Sequence, residues 1–110
     1  MRSDYVFPYS IGFTHAGSFH SDDIFATAFL RILNPNIEII RGFQVPKDFV
    51  GIVYDIGDGE FDHHSKNREL RENGVPYAAF GKLWRKFAPY IVSDSVVKAV
   101  DKELVMPLDY

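Results

Sequence analysis

The sequence contains no cysteine. Disulfides and thiolate metal sites are therefore excluded, and a reducing, cytoplasmic location is the expectation. No apolar run has the length a membrane-spanning helix needs. The opening MRSDYVFPYS lacks the apolar core of a secretory signal, so no membrane partner is expected. Positive charge is also short. The net charge of −3 gives no bulk attraction for nucleic acid or an anionic surface. A phosphate-bearing ligand would need a local source of positive charge. Histidine is absent except in two places: His15 and His20 in THAGSFHSDD, and His63 and His64 in FDHH. There is no internal repeat, low-complexity tract or interdomain linker.

What is present suffices for one domain, spanning 1–110. Apolar residues make up 46%, enough for a real core, and ten Phe, six Tyr and one Trp supply large side chains to fill it. Residues Ser10 to Thr14 read as a short buried strand. Gly17 permits a sharp turn or a close approach. Ser21 reads as an N-cap, with Asp22 and Asp23 in the first turn, where carboxylates complement the helix dipole. Ile24, Phe25, Ala28, Phe29, Ile32 and Leu33 follow at helical spacing and predict a largely buried helix. Asn34-Pro35-Asn36 stops it.

Ile37 to Ile40, continuing to about Phe43, reads as a second strand. Val50 to Ile56 reads as a third, apolar enough for the middle of a parallel sheet. This order predicts an α/β fold, a mainly parallel twisted sheet with helices on both faces. Asp58-Gly59 reads as a two-residue hairpin turn pairing Gly57 with Glu60, Ile56 with Phe61 and Asp55 with Asp62. Facing carboxylates repel, and a cation between them would remove that cost. Residues 65–74 read as a solvated loop or short helix. A helix from Tyr77 to about Tyr90 places Phe80, Leu83, Trp84 and Phe87 on its core face and Lys82, Arg85 and Lys86 on a solvated one. Ser93 caps a last helix with an apolar stripe of Val96, Val97, Val100 and Leu104, ended by Pro107.

The two histidine motifs fall at the carboxyl ends of strands, where open α/β sheets bind ligands. His15 ends the first strand, and His20 and Asp22 open the helix. Asp55 ends the third strand, and Asp62, His63 and His64 follow it. Taken singly, Asp22 and Asp23 are ordinary helix N-terminal acids and His20 an ordinary loop residue. Their joint placement at adjacent strand ends favours a metal site. Mixed imidazole and carboxylate ligation suits Mn²⁺, with Zn²⁺, Fe²⁺ or Co²⁺ as alternatives and Mg²⁺ less suited to so many imidazoles. The donors exceed the needs of one tetrahedral ion. Two ions sharing a carboxylate would use them all, as in sites that attack phosphate esters or anhydrides. Lys66, Arg68 and Arg71 read mainly as solvated charges, with Arg68 or Arg71 the alternative phosphate contacts.

A strand ending in Asp followed by DHH resembles the DHH phosphoesterase superfamily. Thr14-His15-x-Gly17-x-Phe19-His20-x-Asp22-Asp23, then Arg41, Val53-Tyr54-Asp55-Ile56-Gly57 and Phe61-Asp62-His63-His64, are similar in order to its Myg (melanocyte proliferating gene) family. Tyr77-Ala78-Ala79-Phe80-Gly81 and Trp84 resemble that family's small-residue helix. The resemblance covers about residues 10–110. It implies that His15, His20 and Asp22 form the first metal-binding motif, that Asp55 bridges the metals and that His63 is a further ligand. It implies that His64 contacts substrate phosphate, with Asp62 orienting a neighbour. These two and Asp55 form the expected catalytic group. Strict strand alternation would instead turn His63 away from Asp55, so the strand must bend or end near Asp62. Arg41 and Arg68 are the expected substrate-side cations. Asp109 stands about where the family's fourth-motif Asp falls, and a C-terminal substrate domain would lie beyond this N-terminal portion. The implied activity is Mn²⁺-dependent phosphodiester hydrolysis, as a 3′–5′ exonuclease on RNA or oligonucleotides. The alternatives are hydrolysis of a small nucleotide or pyrophosphate, or a non-catalytic metal- or nucleotide-binding module. Oligomeric state is not predicted.

Overall fold

The computed structural model describes residues 5–17, 20–57, 59–62 and 69–109. Three strands, β1 (Ile11–His15), β2 (Glu38–Gly42) and β3 (Ile52–Val53), form a parallel sheet in the order β2-β1-β3. The central strand pairs Ile11 with Glu38 through His15 with Gly42 on one side, and Gly12 with Ile52 and Phe13 with Val53 on the other. Helix α1 (Ser21–Leu33) crosses from β1 to β2. The parallel α/β architecture is thus as the strand–helix–strand order predicts. β3 is shorter than the apolar run of Val50 to Ile56. Asp55 takes a φ of 58° and Gly57 a φ of 85°, so the chain leaves the extended region just after Tyr54 and cannot continue the ladder.

The period of two in β1 sends its side chains to opposite faces. On one face, a Cβ at Gly12 would meet Ile39, Ile52 and Tyr54, which is why the smallest residue stands there. Tyr54 is fully buried, and its hydroxyl shares a 2.5 Å hydrogen bond with Thr27 of α1. The helices gather on this side around Ala26, Phe29, Leu30, Phe80, Leu83, Trp84 and Phe87. On the opposite face, Phe13 is covered by the Phe49 ring, 5.5 Å away in the loop before β3, rather than by a helix among the described residues.

α1 is half-buried, not largely buried. Asp23, Ala26, Phe29 and Leu30 make one inward stripe, while Ile24, Phe25 and Ile32 project outward. Its N-cap is His20, one residue before the expected Ser21. α2 (Ala79–Phe87) places Phe80, Leu83, Trp84 and Phe87 inward as predicted, and a 3₁₀ turn over Ala88–Tyr90 follows it. Its other face is solvated at Arg85 and Lys86 as expected, but not at Lys82. Lys82 is 3% exposed, because α2 lies between α1 and the C-terminal helical segments.

α3 (Asp94–Val100) starts after Ser93 as predicted, then runs through a π segment (Asp101–Val105) into α4 (Met106–Asp109). The wide turn shifts the helical phase by about one residue. Of the predicted stripe, Val97 and Val100 pack against the core and Val96 is 41% exposed; beyond the wide turn Val105 is buried where Leu104, 41% exposed, was expected. Pro107 lies inside α4 instead of ending the helix. The widened turn before it relieves the clash a proline ring makes with the carbonyl four residues back.

Candidate metal centre

β1 delivers His15 to the carboxyl edge of the sheet, and the loop after β3 delivers Asp55 beside it. The His15 Nε2 lies 2.9 Å from Asp55 Oδ2 and 3.2 Å from Asp23 Oδ2. The three donor atoms fall within 4.8 Å of one another. Asp55 and Asp23 are buried, at 3% and 0% exposed. Asp55 holds its left-handed backbone without being glycine, a conformation that costs a β-carbon-bearing residue about 1–2 kcal/mol. Backbone strain of that kind concentrates at functional sites.

Asp23 is the acid that sequence reasoning passed over in favour of Asp22. It stands three residues after the His20 N-cap and accepts the His20 backbone N–H at 2.7 Å, which folds its carboxylate back toward β1. The His-x-x-Asp spacing was the available signal. Asp22, named as a ligand from the sequence, is not among the three donors that converge within the described residues. Its carboxylate accepts the backbone N–H groups of Ala79 (3.3 Å) and Phe80 (2.9 Å), at the N-terminus of α2. Those orphan helix donors attract an acid, and this one joins the two helices.

His20 lies beside the group, its ring centroid 5.7 Å from that of His15. An open cleft of about 410 Å³ is lined by His15, His20, Asp55, Ile56, Gly57 and Asp62. The hairpin pairing is not observed. Tyr54, not Ile56, bridges Phe61, and in the parallel sense. The Asp55 N–H donates to the Phe61 carbonyl (2.8 Å) and the Asp62 N–H to the Gly59 carbonyl (3.2 Å). The left-handed turn at Asp55 ends the strand before the Asp58-Gly59 turn can pair it. Asp55 and Asp62 still meet at one cleft, as neighbours on a loop rather than as cross-strand partners. His63, His64 and Arg68 lie outside the described residues.

Two cations stand behind the acids. Arg41 reaches from β2, with Nη2 donating to Asp23 Oδ1 at 3.1 Å and Nη1 to the His15 carbonyl at 3.2 Å. It braces the first motif from beneath. Lys82, expected in solvent, donates from Nζ to the Asp62 carbonyl at 2.5 Å. Arg71, also expected in solvent, has a buried side chain and pairs with Asp101 through Nε (3.1 Å) and Nη2 (2.6 Å), and with Asp109 through Nη2 (2.8 Å). Asp109 is therefore bound to Arg71 and does not stand with His15, Asp23 and Asp55. Burial raises the Asp109 carboxyl above its usual value of 3.8, against the opposing pull of Arg71 and of the Ala78 and Gly81 backbone. Burial also works against the Arg71 cation, but its bonds to Asp101 and Asp109 outweigh it and hold the guanidinium charged.

The donor set fits a divalent cation. A neutral His15 offers at most one hydrogen at Nε2, yet two carboxylate oxygens approach that atom. Adjacent ligands on an octahedral ion with bonds of about 2.1 Å are about 3.0 Å apart, close to the two spacings observed. Imidazole with two carboxylates, and no sulfur, is borderline-to-hard ligation.

The family MYG1_exonuc, described as an uncharacterised protein family (UPF0160), matches residues 11–108. The chain belongs to this family. The matched stretch runs from the first residue of β1 into α4, so it takes in every side chain of the centre. No curated protein and no solved structure matches the chain. Membership in MYG1_exonuc agrees with the resemblance carried by the THAGSFHSDD and FDHH motifs. Among the described residues, no helix is long and apolar enough to cross a membrane.

Proposed function

We propose that the chain is a divalent-metal-dependent phosphoesterase, with Mn²⁺ as the ion and RNA or oligonucleotide phosphodiesters, cut 3′ to 5′, as substrate. The observation that carries this is the convergence of His15, Asp23 and Asp55 on one point at the carboxyl edge of a parallel sheet, beside an open cleft. The family name, that of an exonuclease, supports the substrate class.

His15, Asp23 and Asp55 would hold the ion. Bound there, a divalent ion supplies positive charge to phosphate and makes water acidic enough to attack at neutral pH. The chain's own residues prepare that site. Arg41 fixes the Asp23 carboxylate and the His15 backbone, so both donors are oriented before a ligand arrives. Asp22 locks α2 against α1 behind the cleft. Lys82 anchors the main chain at Asp62, from which the DHH segment continues. His20, on the cleft wall, is assigned to a second ion, with His63 as a further ligand. His64 and Arg68 are assigned to the substrate phosphate.

The test is hydrolysis by the purified chain with Mn²⁺, on single-stranded RNA, a dinucleotide and pyrophosphate. Turnover of the two phosphodiesters that is lost in His15→Ala and Asp55→Ala is the expected result. Turnover of pyrophosphate alone would shift the assignment to small phosphoanhydrides. No turnover of any substrate, with both variants indistinguishable from the parent, would leave a binding module.

A further inference from the structure

One large apolar side chain stands outside the core at the edge of this site. Phe43 is 84% exposed. Isolated exposed apolar residues are ordinary on protein surfaces, but the position of this one is not arbitrary. β2 ends at Gly42, whose carbonyl accepts the Ala16 N–H at 2.8 Å, while Arg41 holds the His15 carbonyl. The backbone on either side of His15 is thereby tied to the backbone just before Phe43. Gly42 itself has no room for a side chain, since a Cβ there would stand 2.8 Å from the Phe13 ring.

The ring then lies against the first motif. Its edge is 3.6 Å from where a Gly17 Cβ would stand, and Gly17 has a φ of 94°. Two residues on, Val45 packs at 3.1 Å from the corresponding point on Gly57, which lines the cleft. The segment from Phe43 to Val45 therefore runs from the His15 loop to the Asp55 loop across the sheet edge. It presents a flat aromatic face to solvent beside the His15 loop, two residues before Val45 reaches the cleft-lining Gly57. At Gly57 the missing side chain lets Val45 approach closely, whereas glycine at 17 answers to its positive φ rather than to space.

We propose that Phe43 is the stacking platform for a base of the substrate, a proposal that rests on the phosphoesterase function above. Aromatic rings bind nucleobases without sequence preference, because every base has a π-face, and each such stack contributes about 1–3 kcal/mol. A pyrophosphate, which has no ring, gains nothing from Phe43. The residue thus separates base-bearing substrates from bare phosphates, and its effect falls on binding rather than on the chemical step.

The experiment measures equilibrium binding of an RNA dinucleotide and of inorganic pyrophosphate to the full chain with Mn²⁺, for the parent, Phe43→Ala and Phe43→Trp. An exposed side chain can be replaced without unfolding the core, and a denaturant midpoint confirms it. Phe43→Ala should weaken dinucleotide binding by about 5- to 150-fold and leave pyrophosphate binding unchanged. Phe43→Trp should restore the affinity, with its fluorescence quenched by dinucleotide beyond the response of the buried Trp84. Unchanged dinucleotide affinity in Phe43→Ala would overturn the proposal, as would equal loss of both ligands, altered self-association alone, or a parent that binds no dinucleotide. A parent that binds dinucleotide through Phe43 yet hydrolyses nothing would uphold this proposal and overturn the phosphoesterase function. RNA hydrolysis with normal affinity in Phe43→Ala would do the reverse.

Discussion

His15 and Asp55 are 40 residues apart in sequence, and their side chains meet at 2.9 Å. Neither contact with a neighbour in sequence nor hydrophobic burial requires that meeting. It places a carboxylate on an imidazole nitrogen that a second carboxylate also approaches. Substituting Asp55→Asn keeps a side chain that tolerates the left-handed backbone while removing a metal donor. Saturating Mn²⁺ at about 100 times its dissociation constant stabilises a folded binder by about 2.7 kcal/mol, or about 10 °C or more in a domain this small. The parent should show that shift in a thermal melt and Asp55→Asn should not. Equal shifts in both proteins would remove Asp55 from the site.

Asp109 and Gly81 compete for the same space. A Cβ on Gly81 would collide with Asp109 Oδ2. Gly81→Ala should favour the helix by about 1 kcal/mol from propensity alone, yet the collision should reverse the sign and cost about 2 kcal/mol or more. In an Asp109→Ala background the same substitution should stabilise. Urea unfolding of the two single variants and the double variant measures this coupling. Additive effects would mean the two side chains do not meet.

The Arg71–Asp109 pair has a definite pH signature. Burial raises the Asp109 carboxyl above 3.8. Its folded form therefore holds a proton more tightly than its unfolded form. This contribution to stability is greatest below 3.8 and falls as pH rises through the raised value, then levels off. The stability of the parent relative to Asp109→Asn should decline with rising pH across that window. A difference that grows with pH would mean that Arg71 lowers the Asp109 pKa overall. The burden falls on Asp109 because its side chain is fully buried, whereas Arg71 has a second partner, Asp101, that is partly exposed.

Lys82 should matter more than a surface lysine. Lys82→Met keeps the volume of the buried stem and removes the donor to the Asp62 carbonyl. A hydrogen bond from a charged donor contributes about 1.5–3 kcal/mol, a loss to be read from the urea midpoint. A change near zero would show that the ammonium does not hold Asp62.

The alternating strand, helix, strand order could be read directly, because apolar period and the breakers at Asn34-Pro35-Asn36 act locally. So could the arrival of His15 and Asp55 at one sheet edge, since parallel topology puts successive carboxyl ends side by side. Less local facts could not be read. Asp22 and Asp23 look interchangeable in the first turn until the position of α2 assigns one to its N-terminus. Lys82, Arg71 and Asp109 look like solvated charges or a ligand until several helices close over them. The π segment is what brings Asp101 and Asp109 onto Arg71 together. Eight residues of α-helix would leave them about 80° apart, and the wide turn removes most of that offset. The hairpin failed for a backbone reason, the left-handed Asp55, which no side-chain pattern announces.

The proposed function requires His15, Asp23 and Asp55 together to hold a divalent cation. Anomalous diffraction at the manganese edge, from crystals grown at neutral pH with Mn²⁺, tests it most directly. A peak is expected within bonding distance of His15 Nε2, Asp23 Oδ2 and Asp55 Oδ2. A peak elsewhere, or none in the cleft, would contradict it.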